Sequence, residues 1–78
     1  MYVEKEKRNL INIIKYLNSK ADEYNVIKDL KTEDLMKDLN LRLSEVSQAI
    51  KILRNADYLK IRWQPSTKTN TYYIKNKL

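Results

Sequence analysis

Seventy-eight residues allow one domain, spanning residues 1–78, with a core too thin to be more than marginally stable alone. Cys and His are both absent, which excludes disulfides, zinc fingers and Cys or His nucleophile chemistry; Gly is absent too, which excludes glycine-rich phosphate loops. The formal net charge of +6 is unevenly placed. Residues 1–40 balance eight Lys or Arg with eight Asp or Glu, whereas residues 41–78 set eight basic residues against only Glu45 and Asp57. An excess confined to the second half points to a polyanionic partner for that half. No stretch approaches the roughly 18 apolar residues of a membrane span, and the charged opening, Met1 to Arg8, is unlike a signal peptide. A soluble, cytoplasmic protein is expected, with no metal, cofactor or small-molecule ligand. Met1 favours a complete small protein over an excised domain.

The first element reads as a helix from about Val3 to Lys20. Leu10, Ile14 and Leu17 recur at i, i+4 and i+7, Ile11 and Ile13 widen the stripe, and Glu4 and Glu6 suit the positive end of the helix dipole. Residues 21–31 admit two readings: continuation of the helical pattern through Tyr24, Ile27 and Leu30, or a short strand from Val26 to Leu30, which is preferred. Thr32 is expected to cap a short helix running to about Leu39, with Leu35, Met36 and Leu39 inward and Asn40 as the stop. The run from Asn40 to Leu43 forms a tight connection whose two leucines plug the core. Ser44 is expected to cap a third helix, from Glu45 to about Ala56. There the period changes to 2: Leu59, Ile61 and Trp63 alternate with Lys60, Arg62 and Gln64. A polar turn, Gln64 to Asn70, leads to a second strand, Thr71 to Lys75, with Tyr72 and Ile74 on one face. The result is an α+β domain of three helices and a C-terminal β-hairpin with Lys68 at its tip.

The third helix divides cleanly. At about 100° per residue, Val46, Ala49, Ile50 and Leu53 form one apolar stripe. Ser44, Gln48, Lys51 and Asn55 lie opposite, flanked by Ser47 and Arg54. A solvated helix face usually mixes Glu with Lys; this one has no acid at its centre, as a phosphate-lined groove demands. The plainer reading of Gln48 and Asn55 as solvated residues stands beside it. Trp63, Tyr72 and Tyr73 resemble a stacking platform for single strands, but at strand spacing core or cross-strand packing is preferred. On the first helix, Tyr2, Ile13 and Tyr16 lie off the main stripe. They serve either a homodimer interface or a deeper core.

The order helix, short helix, tight turn, helix, basic hairpin is that of a winged helix-turn-helix. The run LMKDLNLRLSEVSQAIKILRNADYLKI resembles the corresponding segment of MarR-, ArsR- and Lrp-type regulators, through Leu39, Ser44, Val46-Ser47, Ala49-Ile50, Leu53 and Tyr58-Leu59-Lys60-Ile61. Asp57 stands where those families usually have glycine, and Asp tolerates the left-handed backbone better than most residues. The resemblance covers roughly residues 30–75. It implies a sequence-specific double-stranded DNA-binding protein, a small transcriptional regulator, with the third helix in the major groove and the wing on the adjacent backbone. The DNA-contacting set is then Arg42, Ser44, Ser47, Gln48, Lys51, Arg54, Asn55, Lys60, Arg62 and Lys68. The alternative is a protein-interaction winged helix within a replication, transcription or membrane-remodelling assembly. An enzyme is not expected, because no carboxylate pair sits in an apolar setting.

Overall fold

The computed structural model describes residues 4–75. Helix α1 (Glu4–Lys20) turns Ile13 and Leu17 fully inward, with Leu10 and Ile14 packed at the margin of the core. The helix ends where the Asp22 carboxylate accepts the N–H groups of Tyr24 (2.8 Å) and Val26 (3.0 Å), while Asn25 takes the left-handed conformation. This local turn redirects the chain into strand β1 (Val26–Leu30), the strand reading preferred for this segment.

Helices α2 (Thr32–Leu39) and α3 (Leu43–Asn55) both begin earlier than their hydroxyl residues suggest. Thr32 is the first residue of α2, and Lys31 occupies the cap; Ser44 lies inside the first turn of α3, and Arg42 occupies its cap. In each case a carboxylate three residues on reaches back to the cap N–H: Asp34 to Lys31 at 3.1 Å and Glu45 to Arg42 at 3.0 Å. A charge-assisted bond at that position is stronger than a neutral hydroxyl cap, and it selects the earlier start. The shift has a second consequence. Leu41 packs against the core, but Leu43, expected to plug it, becomes the opening residue of α3 and is 57% exposed. Between the helices Asn40 is left-handed (φ 54°), as its role as a stop requires, and the Leu41 N–H bonds back to the Met36 carbonyl. Asp57 (φ 59°) does the same after α3.

Strands β2 (Leu59–Gln64) and β3 (Thr69–Ile74) form the expected hairpin, although β3 starts two residues before Thr71. The turn is tighter than the polar composition suggests: Lys68 takes φ 56°, and the Thr67 and Thr69 hydroxyls meet at 2.6 Å. All three strands join one antiparallel sheet in the order β1-β3-β2, so the hairpin's second strand is central. Pairing of β1 with β3 slips between Ile27 and Leu30, where three residue steps on β1 face two on β3. Asp29, left-handed at φ 56°, is the extra residue of this bulge. Ile27 and Leu30 would lie on opposite faces of a regular strand; the bulge turns both into the core, and Asp29 accepts a bond from the Thr69 hydroxyl at 3.2 Å.

The core lies between the helices and the inner sheet face. Leu35, Val46, Ala49, Leu53 and Tyr58 meet Ile27, Leu30, Leu59, Tyr72 and Ile74 there. Ile13, proposed for a dimer face, is fully buried in this core, because the apolar stripe of α1 is broad enough to touch α2 and α3 together. Tyr16 packs against the same cluster and donates its hydroxyl to Asp38 Oδ2 at 2.6 Å, tying α1 to α2. Tyr2 lies outside the described residues. Among the described residues, no helix is long and apolar enough to cross a membrane.

Two measurements check this framework. Asn40→Ala, which keeps the Cβ but removes the side-chain amide that eases a left-handed backbone, is expected to lower unfolding stability by about 1 kcal/mol in urea titrations. Tyr16 is pushed from 10.0 up to about 12, first by burial and then by the neighbouring Asp38 carboxylate. The fold therefore favours the neutral phenol: its contribution is full below pH 10 and is lost as the pH rises toward 12. The difference in urea midpoint between the wild type and Tyr16→Phe is expected to shrink across that window.

Candidate nucleic-acid interface

Helix α3 is held from three sides, by α1, α2 and β2. Val46 (1% exposed), Ala49 (3%) and Leu53 (5%) are committed to the core, so the helix has one possible outward face. Ser44, Ser47, Gln48, Lys51, Arg54 and Asn55 all stand exposed on it. Arg42, Lys60, Arg62 and Lys68 are also exposed, so each of the ten sequence-predicted contact residues faces solvent. None of the ten joins an ion pair among the described residues.

The ten do not form one continuous cluster. Ser47, Lys51, Arg54 and Asn55 gather around a shallow open concavity floored by the half-buried Ile50. Lys60 and Arg62 pair across the hairpin with Tyr73 and Thr71, on the face opposite Leu59, Ile61 and Tyr72. They therefore project from the side of the sheet away from the helices. Lys68 stands at the hairpin tip. The candidate surface has a helical part and a separate hairpin part, and Lys60 and Arg62 lie on the outer face of the hairpin.

Glu45 is the one acid on α3, and the structure turns it inward. One oxygen accepts the Arg42 N–H, and the other meets Asn9 Nδ2 at 3.2 Å and Lys5 Nζ at 3.3 Å. The Arg42 backbone bond, ahead of the Lys5 and Asn9 contacts, holds its carboxyl below the usual range against the opposing effect of burial. A charge that would repel phosphates is thus spent on fastening the start of α3 to α1.

The same contact exposes a set of residues that charge counting overlooks. Lys5, Arg8 and Asn12 of α1 line an open groove of about 620 Å³ with Asn40, Leu41 and Arg42 from the turn between α2 and α3. Residues 1–40 are neutral in sum, which hides this local excess. The usable signal is spacing: Lys5, Arg8, Asn12 and Lys15 all fall opposite the Leu10–Leu17 stripe at 100° per residue. Trp63 is the other omission. Expected to pack, it is 55% exposed, whereas Tyr72 is buried as expected and Tyr73 is half-buried. The cause is position: Trp63 lies on the inner sheet face but beyond Ile61, two residues farther from the helices.

Compared with protein-family models, curated proteins and solved structures, the chain matches none.

Because the Glu45 carboxyl is depressed in the fold, its contribution is present above the ordinary value of 4.5 and is lost as the pH falls through its folded value. Glu45→Gln keeps a carbonyl acceptor but no charge. Its melting temperature is expected to lie below the wild type at neutral pH, and the gap is expected to narrow below pH 4.5.

Proposed function

We propose that this chain is a winged helix-turn-helix domain that binds double-stranded DNA and acts as a small transcriptional regulator. The observation that carries the reading is the outward face of α3: Ser44, Ser47, Gln48, Lys51, Arg54 and Asn55 exposed together, with the only acid of the helix drawn inward to Arg42, Asn9 and Lys5. Such a face supplies donors for base edges and cations for phosphates, with no carboxylate to oppose them. The order of elements, α1-β1-α2-α3-β2-β3, and the central place of β3 in the sheet also support the winged-helix reading.

In this reading α3 enters the major groove. Gln48 meets the N6 and N7 edge of an adenine, and Lys51 donates to O6 or N7 of a guanine. Arg42 and Ser44 hold phosphate at the start of α3, where free N–H groups and the helix dipole favour an anion. Lys68 carries the wing tip onto the neighbouring backbone. Arg8, and Lys5 beyond its bond to Glu45, extend the phosphate track along α1. Lys60 and Arg62, on the outer sheet face, engage only DNA that bends around the wing.

The test is fluorescence anisotropy of a labelled random-sequence duplex at several salt concentrations. Affinity is expected to fall linearly on a log–log plot, by about 0.9 in slope for each phosphate neutralised. Lys51→Ala is expected to weaken binding roughly ten-fold, while Lys28→Ala, on the far edge strand, leaves it unchanged. Absence of binding at low salt removes the DNA reading and moves the weight to the protein-interaction alternative.

A further inference from the structure

The protein has a single tryptophan, and its setting is unusual for the largest apolar ring available. Leu59, Ile61 and Trp63 share the inner face of β2, but they pass from buried through half-buried to 55% exposed as the strand leaves the helices. The residue directly across from Trp63 is Asn70, not an aromatic, so the cross-strand ring pairing that commonly accounts for a hairpin tryptophan is missing. The hairpin's own charge is one-sided. From Leu59 to Ile74 it carries Lys60, Arg62 and Lys68 and no acid; Lys60 and Arg62 lie on the opposite sheet face, Lys68 stands at the tip, and Asp29 of β1 is bonded to the Thr69 hydroxyl. Among the described residues, β2 is also an edge strand, with no strand on the side away from β3.

An exposed indole on a hairpin whose own charges are all basic matches the two components of a nucleic-acid groove wall, apolar sugar and base edges set between phosphates. We propose that Trp63 is a DNA-contacting residue of the wing, its indole lying against deoxyribose and base edges beside the phosphates met by Lys68. The proposal rests on the DNA-binding reading above and deepens it: the wing adds an apolar contact to an otherwise ionic one. The two kinds of contact differ in a measurable way. A lysine on a phosphate releases counterions and steepens the salt dependence, whereas an indole on a sugar or base adds affinity without changing that slope.

Being the only tryptophan, Trp63 reports on itself when excited at wavelengths tyrosine does not absorb. Duplex DNA is titrated into the intact protein while tryptophan emission, its quenching by acrylamide and the anisotropy of labelled duplex are followed together. Emission is expected to change in step with anisotropy, and acrylamide access to fall roughly by half at saturation. Trp63→Ala is expected to lose affinity about ten-fold with the salt slope kept, and Trp63→Phe to recover part of that loss, whereas Lys68→Ala lowers the slope by about one. An anisotropy rise without any change in acrylamide access overturns the assignment and leaves DNA binding standing. A Trp63→Ala loss accompanied by a shallower slope overturns it too. Shielding that grows with protein concentration in the absence of DNA makes the occupant a second copy of this chain and overturns the assignment. A duplex that never raises the anisotropy removes the DNA reading itself, and with it this contact.

Discussion

Burial of one side of α3 is the constraint on which the rest of the structure depends. Val46, Ala49 and Leu53 reach the core simultaneously from the single helix that touches α1, α2 and β2. Burying a Val or Leu side chain is worth about 1.5–3 kcal/mol, a large share of the stability a domain of this size possesses. Ala49 adds little apolar area of its own, but its small side chain lets α3 approach its neighbours closely. With that stripe committed, the helix has no rotational freedom left, and the polar residues opposite are presented as a fixed array. The proposed DNA face is thus a by-product of packing: the same 3.6-residue period that fills the core sets Ser47, Gln48 and Lys51 outside.

Electrostatics at this face follow from how the acids are used. Asp34 and Glu45 each close the start of a helix on its cap N–H, and Glu45 also binds Asn9 and Lys5. Asp38 accepts the Tyr16 hydroxyl, Asp29 accepts the Thr69 hydroxyl, and Asp57 pairs with Lys75 at 2.6 Å. Carboxylates close to the α3 and hairpin surfaces therefore hold structure together, and the cations of α3 and the hairpin tip are left to solvent. A net charge of +6 becomes directional through this division of labour.

A chain without glycine must find other residues for left-handed positions. Among the described residues, Asn25, Asp29, Asn40, Asp57 and Lys68 take them. Four are Asn or Asp, whose short polar side chains bond locally and soften the Cβ clash. Lys68 has no such relief. It sits at the tip of the hairpin in a conformation that costs a non-glycine residue roughly 1–2 kcal/mol. The turn holds it there through the Thr67–Thr69 contact and the pairing of Gln64 with Thr69, which projects a lysine where a glycine would have made the bend more easily.

Periodicity and composition alone determined a good deal: helix, strand, short helix, turn, helix and hairpin in order, the buried stripe of α3, the left-handed Asp57, and the exposure of every proposed contact residue. These are local properties, set by the spacing of apolar residues and by intrinsic backbone preference, so they are readable without the fold. Four features were decided only by tertiary structure. Ile13 became core because α1 is enclosed on more than one side, which no single-helix stripe reveals. Leu43 was displaced into solvent when Glu45 rather than Ser44 governed the start of α3, with Asn9 and Lys5 fastening that Glu45 from another helix. Leu30 faces inward only because a bulge at Asp29 resets the register against β3, and register exists only between strands. Trp63 is exposed because the helical layer ends before the hairpin does. A strand's alternation tells which face a side chain takes; only the assembled layers tell whether anything covers it.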